Sequence, residues 1–247
     1  MIEVKNVTKS FDGKTILHNI SAEFYKGKTN LIIGQSGSGK TVLVKSIIGL
    51  VTPEQGEVLY DGRDFLKMTP QQKKDLRTEL GMLFQGSALF DNETVLGNVM
   101  FPLKMFSKMT NAEMRDRAQF CLERVNLKGA DNKFPAEISG GMQKRVAIAR
   151  AIALNPRYLF CDEPNSGLDP RTSVIVSELL WDITHEYNIT TVINTHDMNS
   201  VLGIGENIVF INKGYKGWEG DKDQIFRSDN ETLNDFVFAT DLFKRVK

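Results

Sequence analysis

The sequence predicts an α/β fold in which several strand ends converge on one edge of an open sheet. Three stretches carry that prediction. Residues 29–33, Thr-Asn-Leu-Ile-Ile, form a short buried-strand pattern that runs into Gly34-Gln35-Ser36-Gly37-Ser38-Gly39-Lys40-Thr41 and then into a helical apolar run over 42–50. Tyr158-Leu159-Phe160-Cys161 is a continuous apolar run ending in Asp162-Glu163, the form of a strand covered on both faces. Between these, from residue 86 to about 154, the apolar pattern has helical spacing, which predicts a helical segment inserted into the α/β part.

Taken in order, residues 2–10 alternate through Ile2, Val4 and Val7, and residues 16–25 give a second strand. Phe11-Asp12-Gly13-Lys14 between them reads as a turn carrying an aromatic ring. Gly49 stands where the helix after the glycine loop should stop, and residues 56–62 read as a strand and turn. Thr69-Pro70-Gln71-Gln72 and Thr110-Asn111-Ala112-Glu113 both fit capping boxes that open helices. Met82-Leu83-Phe84 is a strand ending at Gln85, and Cys121 falls on the packed face of the helix after Thr110. A helix over 141–154 stops at Asn155-Pro156, and Asp169-Pro170 opens another. Residues 189–194 form a buried strand ending at Thr195-His196-Asp197, and residues 208–218 form a hairpin around Gly214. Near the C-terminus Phe236, Ala239, Leu242, Phe243 and Val246 share one helical face, expected to dock on its own domain or else on a second copy.

Composition narrows the function classes. The chain has 247 residues with 31 basic and 31 acidic side chains, so no global field attracts nucleic acid or anionic lipid. Its two cysteines, Cys121 and Cys161, lack metal-ligand spacing and fit reduced thiols. The opening Met1-Ile2-Glu3-Val4-Lys5 has no apolar signal region and reads as an opening strand, and no run approaches the ~20 apolar residues of a membrane span. Any membrane function is expected to rely on another chain.

The glycine loop is the most specific feature. Glycine, four residues, then Gly39-Lys40-Thr41 fits the phosphate-loop pattern. Gly34, Gly37 and Gly39 let the backbone N–H groups of the loop, with Gln35, Ser36 and Ser38, turn toward phosphate oxygens. Lys40 is placed to add a charge at the β- and γ-phosphates, and Thr41 to offer a hydroxyl to Mg²⁺. Gly34, Gln85, Asp162 and His196 each follow a strand, so all four are expected at the edge where open α/β sheets bind ligands.

This loop, Gln85, Ile138-Ser139-Gly140-Gly141-Met142, Asp162-Glu163, Ser166-Gly167-Leu168-Asp169 and His196 occur in the order of the ATP-binding-cassette ATPases, which the chain resembles over nearly its whole length. The Ser-Gly-Gly signature separates that family from other phosphate-loop proteins. The resemblance implies a phosphate-loop NTPase core of RecA-like type with an N-terminal antiparallel β part and an inserted helical subdomain. The implied single domain covers 1–230, with its core at 1–86 and 156–230, a helical subdomain at 87–155 and a C-terminal helical extension at 231–247. It also implies ATP as ligand and Mg²⁺ held by Thr41, Gln85 and Asp162. Glu163 becomes the general base, His196 the γ-phosphate contact, and Phe11 the ring that stacks on adenine. Ser139, Gly140 and Gly141 would close on the nucleotide of a second copy, with Asp169 lining that interface, so a dimer of cassettes is expected. Met142 in the signature, Arg145, and the segments from Met82 to Asp91 and from Asn98 to Leu103 are similar to the ATPase subunits of Mla/Mce-type phospholipid transporters. That subfamily implies permease partners, an Mce-type lipid-binding subunit, and a place on the cytoplasmic face of the inner membrane. Asn165 after Pro164 departs from the subfamily's commoner forms. Leu89, Phe90, Met100, Phe101, Met105 and Phe106 are expected to form a small core in the insert, some facing a membrane partner. An ABC subunit for another substrate stands beside the lipid reading. A soluble cassette protein on ribosomes or DNA is disfavoured by the single cassette and neutral charge, and a module without turnover by the presence of Glu163 and His196.

Overall fold

The structure, a computed structural model, describes residues 1–238. β1 (Ile2–Phe11) turns through Asp12 and Gly13 into β2 (Lys14–Phe24), and β3 (Thr29–Ile33) leads through the glycine loop to α1 (Lys40–Ile47). β4 (Gln55–Tyr60) and the short β5 (Arg63–Asp64) precede α2 (Pro70–Thr78) and β6 (Leu80–Leu83). Three helices follow: α3 (Val95–Phe106), α4 (Asn111–Arg124) and α5 (Gly140–Ile152). Then come β7 (Tyr158–Asp162), α6 (Pro170–Glu186), β8 (Thr190–Asn194), α7 (Met198–Ile204), β9 (Asn207–Asn212), β10 (Tyr215–Gly220) and α8 (Glu231–Val237).

The strands form two sheets. One is antiparallel, ordered β2-β1-β4-β5; the other is ordered β10-β9-β3-β8-β7-β6 and is parallel except for β10. The period-two alternation of each parallel strand explains why both faces are covered. Ile32, Phe160, Val192 and Val209 point into one apolar layer with α1 and the antiparallel sheet. Leu31, Ile33, Leu159, Cys161 and Ile193 point into the other, with α5, α6 and the inserted helices. Each such fully buried side chain contributes about 1.5–3 kcal/mol relative to exposure. With both faces occupied, only the strand ends remain for a ligand.

Local signals act as the sequence suggests. Thr69 and Thr110 accept from the N–H groups of Gln72 and Glu113, and both capping boxes are complete. Gly49 ends α1 with φ 76°, a left-handed conformation that glycine adopts without penalty. Cys121 is fully buried, and burial pushes its thiol up to about 11. Phe11 closes β1 instead of standing in the turn, because the β1–β2 ladder extends to the Phe11–Lys14 pair. Helix α7 follows His196-Asp197 without an apolar signature long enough to announce it; Asp197 caps it by accepting from Asn199 N–H. At the C-terminal end Leu233 and Val237 are buried and the Phe236 ring lies 5.5 Å from Phe210, so this part of the tail docks on its own domain. Ala239, Leu242, Phe243 and Val246 lie outside the described residues. Among the described residues no helix is long and apolar enough to cross a membrane.

Candidate nucleotide site

The glycine loop packs so closely that its composition is forced. A Cβ on Gly34 would stand 2.1 Å from the Ile211 carbonyl oxygen, and Gly39 enters α1 with φ 108°. Lys40, the first residue of α1, is almost fully buried and donates through Nζ to the carbonyls of Gly34 (2.9 Å) and Gln35 (3.1 Å). Burial lowers its pKa, while the nearby carboxylates of Glu163 and Asp162 oppose that shift. Two neutral carbonyls are weak partners for a buried ammonium, so an incoming anion can replace them.

The ends of β7 and β8 supply the other wall. Asn194 and Asp162 are register partners, and Asn194 Nδ2 donates to Asp162 Oδ1 (2.5 Å) and to Thr41 Oγ1 (3.3 Å). The opposite atom, Asn194 Oδ1, is buried with no hydrogen-bond partner, as is Ser38 Oγ in the glycine loop. Glu163 takes φ 47°, a conformation that costs a non-glycine residue about 1–3 kcal/mol. Its N–H donates to Asn194 O (2.9 Å), and its Oε1 lies 2.8 Å from His196 Nδ1. Glu163 is largely buried and lines the same cleft as the glycine loop, while His196 stays largely open to solvent.

These residues share a cleft of about 830 Å³ lined by Gln35, Ser36, Gly37, Lys40, Thr41, Gln85, Glu163 and His196, with Phe236 and Val237 of α8 on one wall. The volume lies in the range of small-molecule sites. Gln85 Nε2 donates to Ser166 Oγ (3.3 Å), and the Gln85 carbonyl accepts from Lys144 Nζ.

Of the expected site residues outside the lining, Gly34, Ser38, Gly39 and Asp162 are next to lining residues in the chain, and five others lie elsewhere. Phe11 is exposed at the end of β1, with Lys9 Nζ 4.9 Å above its ring. Ser139 caps α5 by accepting from Met142 N–H, and Gly140 follows it on the surface. A Cβ on Gly141 would meet Thr172 Cγ2 at 2.5 Å. Asp169 caps α6 and accepts from both Thr172 Oγ1 (2.5 Å) and Thr172 N–H (3.0 Å), which hold its carboxyl below the usual range. Thr172 thus joins the starts of α5 and α6.

The sequence assigns no role to Asn194 or Lys144, and marks Asn165 only as a departure. Asn194 was absorbed into the apolar strand it terminates, although an amide ending such a strand is itself a signal. Asn165 Nδ2 donates to Ser200 Oγ (2.7 Å) and Ser177 Oγ (2.9 Å), tying the loop after Glu163 to α7 and α6. Lys144 stands between Gln143 and Arg145 in a polar run of α5, so the sequence carries no signal of its burial.

Residues 17–166 match the ABC transporter family. The chain belongs to the ABC transporter family. It is an ATPase subunit of that family, binds ATP, and is similar to MlaF among other members. It is 37% identical over 236 residues to the probable ribonucleotide transport ATP-binding protein mkl of Mycobacterium leprae, covering 96% of this chain and 68% of that protein. The intermembrane phospholipid transport system ATP-binding protein MlaF of Haemophilus influenzae is 36% identical over 237 residues, 96% of this chain and 90% of MlaF. The methionine import ATP-binding protein MetN of Clostridium acetobutylicum is 36% identical over 241 residues, 98% of this chain and 75% of MetN. Among solved structures, the dimeric ATP-binding cassette MJ0796 in a post-hydrolysis state with ADP and Pi superposes with a TM-score of 0.81 at 33% identity, covering 90% of this chain and 99% of that one.

Proposed function

We propose that this ABC subunit drives phospholipid transport at the cytoplasmic face of the inner membrane, through permease subunits and an Mce-type lipid-binding subunit. The observation that carries the substrate reading is the match to MlaF, which spans 90% of that protein's length. The comparable match to MetN favours a second reading, an importer of a small solute such as methionine. Affinity purification of the chain from membranes separates the two. A permease together with an Mce-type subunit is the expected result; a permease with a solute-binding protein contradicts it.

In the proposed mechanism the core, residues 1–86 and 156–230, holds the nucleotide, and the insert 87–155 carries the signature. Phe11 stacks on the base. The N–H groups of the glycine loop and Lys40 take the phosphates, with Lys40 Nζ leaving the Gly34 and Gln35 carbonyls. Thr41, Asp162 and Gln85 offer only oxygen donors, the set a Mg²⁺ ion prefers, and the unpartnered Asn194 Oδ1 adds another. Among the described residues no group of three or more His, Cys, Asp or Glu could hold a metal alone, which suits an ion bound mainly through phosphates and water. A Mg²⁺ ion held by these residues would supply charge neutralisation for the phosphates. Glu163 takes the proton of the attacking water, and His196, hydrogen-bonded at 2.8 Å, fixes the carboxylate and reaches toward the γ-phosphate. Ser139, Gly140 and Gly141 open α5 and stand outside this cleft, so their N–H groups serve the nucleotide of a second, head-to-tail copy, with Asp169 at the shared surface.

A further inference from the structure

Helix α5 does more than present Ser139 at its start. Two of its cations reach the backbone of the segment that follows β6. Lys144, 4% exposed, donates through Nζ to the Gln85 carbonyl. Arg150 donates through Nη1 to Ala88 O and through Nη2 to Ser87 O, both at 2.7 Å, and its guanidinium sits 5.9 Å from the centre of the Phe90 ring. Ser87 and Ala88 have φ 62° and 47°, two consecutive non-glycine residues in the left-handed region. Such residues persist only where the surroundings over-determine them. The planar fork of Arg150 does so here, fixing two successive carbonyls at once.

The chemistry of Lys144 points the same way. Lys144 is buried, so an ammonium at this place is costly, and an apolar side chain would pack without that cost. What the ammonium gains is the Gln85 carbonyl, together with attraction from the negative groups around it, Asp162 and Glu163 among them. Gln85 is the residue of this segment whose side chain lines the nucleotide cleft.

We propose that Lys144 and Arg150 are positioning residues that clamp the backbone of residues 85–88 to α5. The Gln85 side chain then enters the cleft in one geometry, and any displacement of α5, whose first turn carries Gly140 and Gly141, moves Gln85 with it. This rests on the reading of Gln85 as a residue that faces nucleotide during turnover.

A double-mutant cycle on the purified chain tests the clamp. Lys144→Met is expected to lower kcat for ATP by roughly tenfold with little change in KM, whereas Lys144→Gln, which keeps an N–H donor, stays within about threefold of the parent. Arg150→Lys, which keeps the charge but loses the fork, is expected to lower kcat in the same way and serves where Lys144→Met fails to fold. In a Gln85→Ala background each change should add less than about twofold, because the side chain it positions is gone. A full tenfold loss persisting in that background, or a loss appearing only as a raised KM, overturns the clamp while leaving the role of Gln85 standing. Parent-like turnover of Gln85→Ala itself overturns the role of Gln85 and the clamp with it.

Discussion

Strand β7 has five residues, Tyr158 to Asp162, and its two ends are built on opposite principles. At the amino end Asp61, Glu79, Arg63 and Arg157 pair with one another. Tyr158 Oη donates to Asp61 Oδ2 (2.7 Å), Arg157 pairs with the same carboxylate (2.5 Å), and Arg63 forks onto Glu79 at 2.8 and 2.7 Å. Burial and the Asp61 hydrogen bond push the Tyr158 phenol up to about 12, which keeps it neutral and donating. At the carboxyl end Asp162 receives Asn194, Lys40 rests on two carbonyls, Asn194 Oδ1 has nothing, and Glu163 is strained. The charges of the sheet are finished at one edge and unfinished at the other, although the neutral hydroxyls of Thr190 and Tyr187 at the amino edge also lack a partner. An unfinished edge costs stability, and it persists where a ligand completes it.

That contrast is broken most sharply at Glu163. Glu163→Gln should slow hydrolysis by about 10²–10⁴-fold while nucleotide binding is retained, measured by steady-state turnover beside equilibrium binding. Near-parent turnover would remove Glu163 as the base. Next comes Asn194→Ala, which frees Thr41 and Asp162 from their shared donor. Activity should fall by about 10–100-fold, the scale for groups that orient metal ligands, and a Mg²⁺ titration of turnover should shift to higher concentration. Phe11→Ala should weaken nucleotide binding by about tenfold through lost stacking, and Phe11→Trp should keep it.

The finished edge predicts the smallest effect and a different kind of readout. Arg63→Ala should leave nucleotide affinity unchanged and cost about 1 kcal/mol of stability or less, because both partners are partly exposed. Its pH dependence has a definite sign. The Arg63 hydrogen bonds lower the Glu79 pKa below its ordinary 4.5, so this pair contributes fully above about pH 4.5 and loses its contribution as pH falls through the lowered value. The gap between parent and Arg63→Ala in chemical denaturation should therefore close on acidification. A gap that widens in acid would contradict the pairing.

The two edges also differed in how far the sequence disclosed them. The carboxyl edge was legible because its chemistry is contiguous: glycines with Lys40 and Thr41, an apolar strand ending in Asp162-Glu163, and His196 after another strand. The capping boxes at Thr69 and Thr110 and the stop at Gly49 were legible for the same local reason. The amino edge was not, because Asp61, Glu79 and Arg157 are far apart in the chain and meet only after the two sheets pack. Asn194 was hidden by the apolar strand it ends, and the strain at Glu163 by its dependence on packing. Helix α7 was hidden because its seven residues are too few to show a period.

On the proposed function, the carboxyl edge is half a site, completed by Ser139–Gly141 of a second copy. Light scattering of Glu163→Gln with ATP tests it most directly, comparing that variant with one that also carries Ser139→Arg. The first should double in mass on adding ATP; the second should bind ATP and remain at the mass of one chain. Equal doubling in both would contradict the claim, as would a first variant that binds ATP without any change in mass.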